Sequence, residues 1–569
     1  MNAQRRIEDD NERNLATPQS TSTSHAITPA ADALPEDAAL QCCFKYFFEY
    51  HFTSEFCSFF YKPEFQKRHR EFPFLIVSIV ALTSRYLSFM EAETYFDMTP
   101  CEVGVIYGKK ARQMARDTSD SPTVWNIQAN LILALSELLS GPGASVKHWM
   151  YLGTAIRMAQ AMRLNKNFHQ IHSLREQEAR RRVFWACFLW DKLLASSMFK
   201  PCILTEQSIQ IALPGTDAAF AYGEASRGLT LSTLATFAGP PSDVGITPYL
   251  IVTVYLWSKI ADWQIGDNRL FDKDAPTDPQ SNFQKHHATM RAWISVLPPW
   301  LQWSEKNYTV HRELSQERQF IILHLLHLSS MCVAHQAYLP HNKGPSMLLD
   351  TVDGAGLSLV HSDPALIAPC VVNAMATGEM IAWLMDNDPL AEQKLRSPWV
   401  GISLLSASAG LLWLRYNDSQ HYNLSSNMAK QYLDYFGNLF EYWKSTWNVA
   451  SQWLQILKGM EALYRVAYEG EITDDISRDE PFPDEPDESM GHEKKHQYYP
   501  RPGDGLPPVD PAAPLYTLLR DNTANAIHQN VAQRHWIWLQ LAGTWPQSFS
   551  YELNPPSVLQ DEEVSGLLS

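Results

Sequence analysis

Apolar positions along this chain recur at steps of three and four residues, the spacing of one face of an α-helix. Phe44, Phe47, Phe48, Phe52, Phe56, Phe59 and Phe60 open the pattern, and Pro63 is expected to end that stretch. Buried helices are predicted over 74–89, 107–116, 125–139, 146–164 and 174–199, with Gly141-Pro142-Gly143 as the stop after the third. The segment 215–247, rich in Gly, Ala, Ser, Thr and Pro, reads as a long surface loop, and 272–280 as another. The helical pattern resumes over 249–265, 283–297, 318–337, 367–386, 400–415, 428–442 and 448–468. Alternation with a period of two is weak throughout, so the expected fold class is all-α, a large multi-helix domain. No repeat with a period of 20 to 50 residues is visible, which argues against a solenoid.

The flanks break the pattern. Residues 1–37 are polar and rich in Ser, Thr, Asn and Asp, the composition of a disordered arm. A helical body is expected over 38–468. Residues 469–511 are acidic and Pro-rich and read as a disordered linker. Residues 512–569 hold a last helical patch, with Trp536 and Trp538, and a tail.

Composition sharpens this picture in three ways. The 569 residues are 45% hydrophobic and 12% aromatic, enough for a large core packed from big side chains. Net charge is −16, and the longest basic run is Arg180-Arg181-Arg182, which argues against a broad nucleic-acid surface on this chain. Eight cysteines stand scattered among apolar residues without a Cys-x-x-Cys, the pattern of reduced thiols in an intracellular protein. The N-terminus is charged and lacks an apolar leader. The runs 72–83 and 400–414 are too short or too interrupted by Ser for a bilayer of about 20 residues, so no membrane partner is expected.

Candidate chemistry is sparse. His492-Glu493-Lys494-Lys495-His496 matches the zinc-protease spacing, in which two His four apart on a helix hold the metal. It lies in the acidic linker without an apolar face, so a solvated segment is expected. His324, His327 and His335 share a predicted helix with Cys332, but leucines surround them, and they read as core-edge histidines with satisfied hydrogen bonds. The stretch from Gly104 to Lys110 is one residue short of a phosphate loop between its glycines, and Lys stands where the loop needs Ser or Thr. These readings predict no cofactor, no metal and no enzyme. Asp191 sits within an apolar helix, where a lone carboxylate is costly. It is expected to play a structural part, paired with a distant cation or a helix start.

Several ordered pieces resemble one family, the regulatory domain of fungal zinc-cluster transcription factors. An aromatic entry segment spans Phe47–Phe65. A central helical pair covers 128–139 and 149–165. A signature helix begins at Arg180, Arg181, Arg182 and Trp185, runs to Asp191-Lys192, and is followed by Lys200-Pro201 and 211–214. Trp293, 297–301 and the His-rich helix at 320–340 resemble the usual continuation, so the likeness runs from about 44 to 460. It implies a structural role for Arg180, Arg181, Arg182, Trp185, Asp191, Lys200 and Pro201. Where the family carries Arg after the signature Asp, this chain has Lys192, and Phe199-Lys200-Pro201 replaces Gly-Arg-Pro.

The family's DNA reader is a six-cysteine zinc cluster. Upstream of Cys42 this sequence has no cysteine, and Cys42, Cys43 and Cys57 have the wrong spacing, so no zinc site carries over. The resemblance therefore implies a nuclear regulator of transcription, one that controls a metabolic gene set. It would reach DNA indirectly or through a missing N-terminal module, with other transcription regulators, a small-molecule effector and a homo- or heterodimeric partner as its expected contacts. The alternative is a small-molecule-binding or scaffold protein that kept the helical fold without DNA binding.

Overall fold

The computed structural model describes residues 34–469 apart from 53–55, 57, 142–144, 168–170, 199–201, 226–227, 236–243, 266–273, 337, 340–363 and 417–424. The arm and linker expected at 1–37 and 469–511 lie almost wholly outside the described residues, and the patch at 512–569 lies entirely outside them. Among the described residues every regular element is a helix.

The first half holds α1 (Asp37–Tyr50), α2 (Lys62–Arg68), α3 (Pro73–Thr83), α4 (Phe89–Phe96), α5 (Pro100–Asp117), α6 (Val124–Leu139) and α7 (Ser145–Ala161). Two of these are buried on every side over long stretches, which marks a helix with almost no solvent face. Every residue from Phe74 to Thr83 in α3 is buried, and so is every residue from Ile127 to Glu137 in α6. The others pack around them: α1 and α5 against α3, and α7 against α6. Glu137, carried into this core by α6, is neutralised by Arg112 of α5 at 2.8 Å.

The chain then runs through α8 (Leu174–Met198), α9 (Asp217–Tyr222), α10 (Leu231–Ala235), α11 (Ile246–Ile265), α12 (Asn282–Val296) and α13 (Glu305–Glu313). The second half closes with α14 (Glu317–Gln336), α15 (Pro364–Asn387), α16 (Ala391–Lys394), α17 (Pro398–Tyr416), α18 (Ser426–Lys444) and α19 (Asn448–Glu469). Here α14 and α17 are the central helices: α14 touches α11, α15 and α17, and α17 touches α15, α18 and α19. Helix α8 lies between the halves, with α7 on one side and α11 on the other. Trp190 of α8 meets Trp399 of α17 edge to face at 4.5 Å. A second seam joins Trp447 Nε1 to the Tyr86 hydroxyl at 2.9 Å.

Close helix contact in the second half depends on glycine. A Cβ on Gly378 of α15 would overlap the Tyr432 ring of α18, and one on Gly401 of α17 would enter the Trp453 ring of α19. Alanine normally gains about 0.5–1 kcal/mol over glycine inside a helix. Here the overlap reverses the sign, since overpacking costs about 1–3 kcal/mol. Gly378→Ala is therefore expected to lower the urea unfolding midpoint, whereas a midpoint at or above wild type would show that α18 shifts freely.

The structure corrects several expectations. Pro63 does not end the aromatic stretch; α1 stops at Tyr50, and Pro63 sits in the first turn of α2. Its missing N–H and fixed φ suit that position. The segment 215–247 is not one loop, because Thr216 caps α9 through the Ala219 N–H at 3.1 Å, and α10 follows. Several short helices escape the sequence pattern, among them α16, α4 with the Ser88/Glu91 capping box, and α13 capped by Ser304. The longest apolar helix is α15, long enough to cross a membrane by length and composition, but it packs against α14, α17 and α18.

Candidate functional site

The signature helix α8 starts with acids and arginines at helical spacing, so one face carries both signs. Glu178 and Arg182, four apart, are both buried and meet at 3.0 Å. Glu178 also pairs with Arg181 and accepts the Gly215 N–H at 2.9 Å. Arg182 reaches Asp217 at 2.7 Å and the carbonyls of Ser58 and Gly215, both at 3.2 Å, while its guanidinium lies 4.4 Å over the Phe220 ring. Arg180 pairs with Glu176 at 3.3 Å. The three arginines are thus held by acids and backbone, and Arg182 is turned inward rather than toward a phosphate backbone.

Further along the helix the same theme repeats. Trp185 Nε1 donates to the Ala212 carbonyl at 2.7 Å. Asp191 accepts the Leu204 N–H at 2.8 Å and the Ile203 N–H at 3.0 Å, and Lys192 donates to the Leu204 carbonyl at 2.8 Å. Asp191 therefore pairs with backbone N–H groups of the returning segment, not with a distant cation. Burial pushes its carboxyl above the usual range, and those two N–H groups pull it back. Together these side chains grip the backbone of 203–217 at three levels and hold it along α8. Lys200 and Pro201 lie outside the described residues.

The other sequence candidates do not converge. Gly104 and Gly108 lie inside α5, which removes the phosphate-loop reading. His324 Nε2 donates to the Leu301 carbonyl at 3.0 Å and His335 Nδ1 to the Leu366 carbonyl at 2.7 Å. The histidines are only partly satisfied, because His327 Nδ1 and His335 Nε2 are buried without a partner. Among the described residues no three His, Cys, Asp or Glu are grouped as metal ligands. His492 and His496 lie outside the described residues.

A different site emerges where the halves meet. A polar cavity of about 180 Å³ opens between them. Tyr46, Tyr50, Arg85 and Tyr86 line it from the first half; Gln393, Arg396, Tyr442 and Thr446 line it from the second. Arg396 is buried, with its guanidinium 4.9 Å from the Tyr50 ring and 4.8 Å from the Tyr86 ring. It donates a hydrogen bond to Thr446 Oγ1 at 3.3 Å. Arg85 donates to the carbonyls of Leu82 and Ser136, at 3.0 and 3.1 Å. Sequence reasoning missed this site. Tyr46 and Tyr50 at i and i+4 on α1 are the only local signal, and nothing in the sequence links them to Arg396.

Residues 44–295 match the family described as the Fungal specific transcription factor domain. A transcriptional regulatory protein of Schizosaccharomyces pombe, itself named uncharacterized, is 28% identical over 393 residues, covering 65% of this chain and 39% of that one. A second such protein from the same yeast is 24% identical over 430 residues, covering 70% and 60%. The Zn(2)-C6 fungal-type transcription factor FTF1c of Fusarium oxysporum f. sp. lycopersici is 25% identical over 303 residues, covering 49% and 31%. The chain spans less than two thirds of the length of each of these relatives. No solved structure matches.

Proposed function

We propose that this chain regulates transcription in the nucleus, with the helical body as its regulatory part. The observation that carries the reading is the domain match over 44–295, supported by relatives named as transcription regulators. The inward-turned Arg182 and the net charge of −16 favour contact with DNA through a partner regulator or a zinc-cluster module, not through the helical body. A metabolic gene set is the proposed target. No catalytic step is proposed. Chromatin immunoprecipitation of the tagged chain is expected to show discrete peaks at promoters. A flat profile across the genome, in cells that express the folded protein, would overturn the reading.

A further inference from the structure

We propose that the cavity between the halves binds a small oxyanion, a carboxylate or phosphate group, between Arg85 and Arg396, and that the bound anion ties the two halves together. The first support is charge. A guanidinium keeps its proton in any protein environment, so burying one without an anion is costly. Elsewhere in the molecule that cost is met: Arg182 has two carboxylates, and Arg112 has Glu137. Among the described residues no carboxylate lies within ion-pair distance of Arg85 or Arg396, and the lining of the cavity contains no acid. Of the nearby acids of the same half, Glu91 accepts from the Tyr46 hydroxyl, Glu49 interacts with Tyr50, and Glu137 pairs with Arg112.

Geometry supplies the second support. The Arg396 guanidinium lies 4.9 and 4.8 Å from the ring centroids of Tyr50 and Tyr86, so aromatic rings confine it. A planar fork held this way suits bidentate recognition of a carboxylate or phosphate. Behind Tyr86 lies His51, fully buried, with neither ring nitrogen hydrogen-bonded. Burial, and then the charges of Arg85, Arg396 and Arg318, hold His51 well below its usual pKa. That residue reports a positive field at this seam.

Size narrows the ligand. A volume of about 180 Å³ is smaller than the roughly 300–1,000 Å³ of drug-sized sites and suits an acid of metabolite size. Position gives the consequence. Arg85 sits in the turn that follows α3, while Arg396 lies between α16 and α17, so one anion neutralises a charge from each half. The inference deepens the transcription reading and rests on it only for what the bound ligand would control.

The test is direct binding to the purified full chain in a chloride buffer of low ionic strength. Succinate, inorganic phosphate and the neutral diamide succinamide are titrated by calorimetry, and melting is followed in parallel. At least one anion is expected to bind saturably and to raise the melting midpoint by about 2 to 4 °C, and the diamide is expected to do neither. Arg396→Gln is expected to weaken anion binding at least tenfold. Gln393→Glu places an acid in the cavity lining, so it too should lose at least tenfold while melting no lower than wild type. No saturable anion binding by the wild type, or wild-type affinity in either folded variant, overturns the proposal. Binding is read on the isolated protein, so its failure leaves promoter association standing, and a flat chromatin profile leaves the cavity's chemistry standing.

Discussion

Acidification from pH 7 to pH 5 is expected to lower the stability of the helical body by several kcal/mol. The main cause is α14, which carries His324, His327 and His335 into the core of the second half, and the buried His51 acts in the same direction. Burial holds them at about 3, 4 and 4, against an ordinary value of 6.5. They are neutral in the folded state and protonate in the unfolded one as soon as pH drops below 6.5. The unfolded chain then binds more protons, so stability rises with pH throughout that window. Their contribution is complete above pH 6.5 and is lost as pH falls from there toward 4. One pH unit below 6.5 is worth about 1.4 kcal/mol per histidine, hence about 2 kcal/mol each at pH 5. Three such groups on one helix do not add fully, yet even half the sum is a large share of about 5–15 kcal/mol. Asp191 and Asp262, whose carboxyls burial pushes up, oppose this trend, because the folded state takes up their protons first, from their raised values down to the ordinary aspartate range. Thermal melts between pH 8 and pH 5 check the slope. His327→Leu is the informative variant, because it removes a titrating ring with an unpartnered Nδ1 and puts an apolar side chain in its place. A melting midpoint that does not move between pH 7 and pH 5, or a slope unchanged in His327→Leu, would refute the account.

Much of the helical plan was legible because the burial pattern is local. Helices α6 and α8 are apolar over long stretches, and the expected spans 125–139 and 174–199 differ from the observed ends by a residue or so at each end. Helices α4 and α13 were hidden because short helices on the outside carry little periodicity: Phe89 and Met90 of α4 are exposed. Their capping signals, Ser88 with Glu91 and Ser304 with Asn307, were present in the sequence. At the signature, the pairing of Glu178 with Arg182 follows from their spacing, whereas Asp217, Gly215 and Ser58 join only when the chain returns. The cavity was not legible for the same reason in stronger form. Arg85 and Arg396 come from opposite halves, and that no carboxylate among the described residues pairs with them becomes visible only once the buried carboxylates there have been placed.

Arg182→Ala is expected to destabilise the protein by about 3–5 kcal/mol, the usual cost of removing one member of a buried ion pair. Glu178 is 3% exposed and would be left with Arg181 and the Gly215 N–H beside it. The carbonyls of Ser58 and Gly215 would lose a donor, and Phe220 would lose its cover. Asp217→Asn makes the contrast, because its side chain is 62% exposed and an open ion pair is worth less than about 1 kcal/mol. Glu178→Gln with Arg182→Ala should cost less than the sum of the two single changes, since the double variant no longer buries an uncompensated carboxylate. Urea unfolding of the wild type and these four variants measures these differences. A loss below about 1 kcal/mol for Arg182→Ala, or strict additivity in the pair, would mean that the cluster decorates α8 and does not hold it. Hydrogen exchange separates the grip into its levels. In Glu178→Gln the Gly215 amide loses its charged acceptor and is expected to exchange faster, while the Ile203 and Leu204 amides, held by Asp191, keep their protection. Faster exchange at all three would instead show that the returning segment leaves α8 as one unit, with the arginine cluster as its lock.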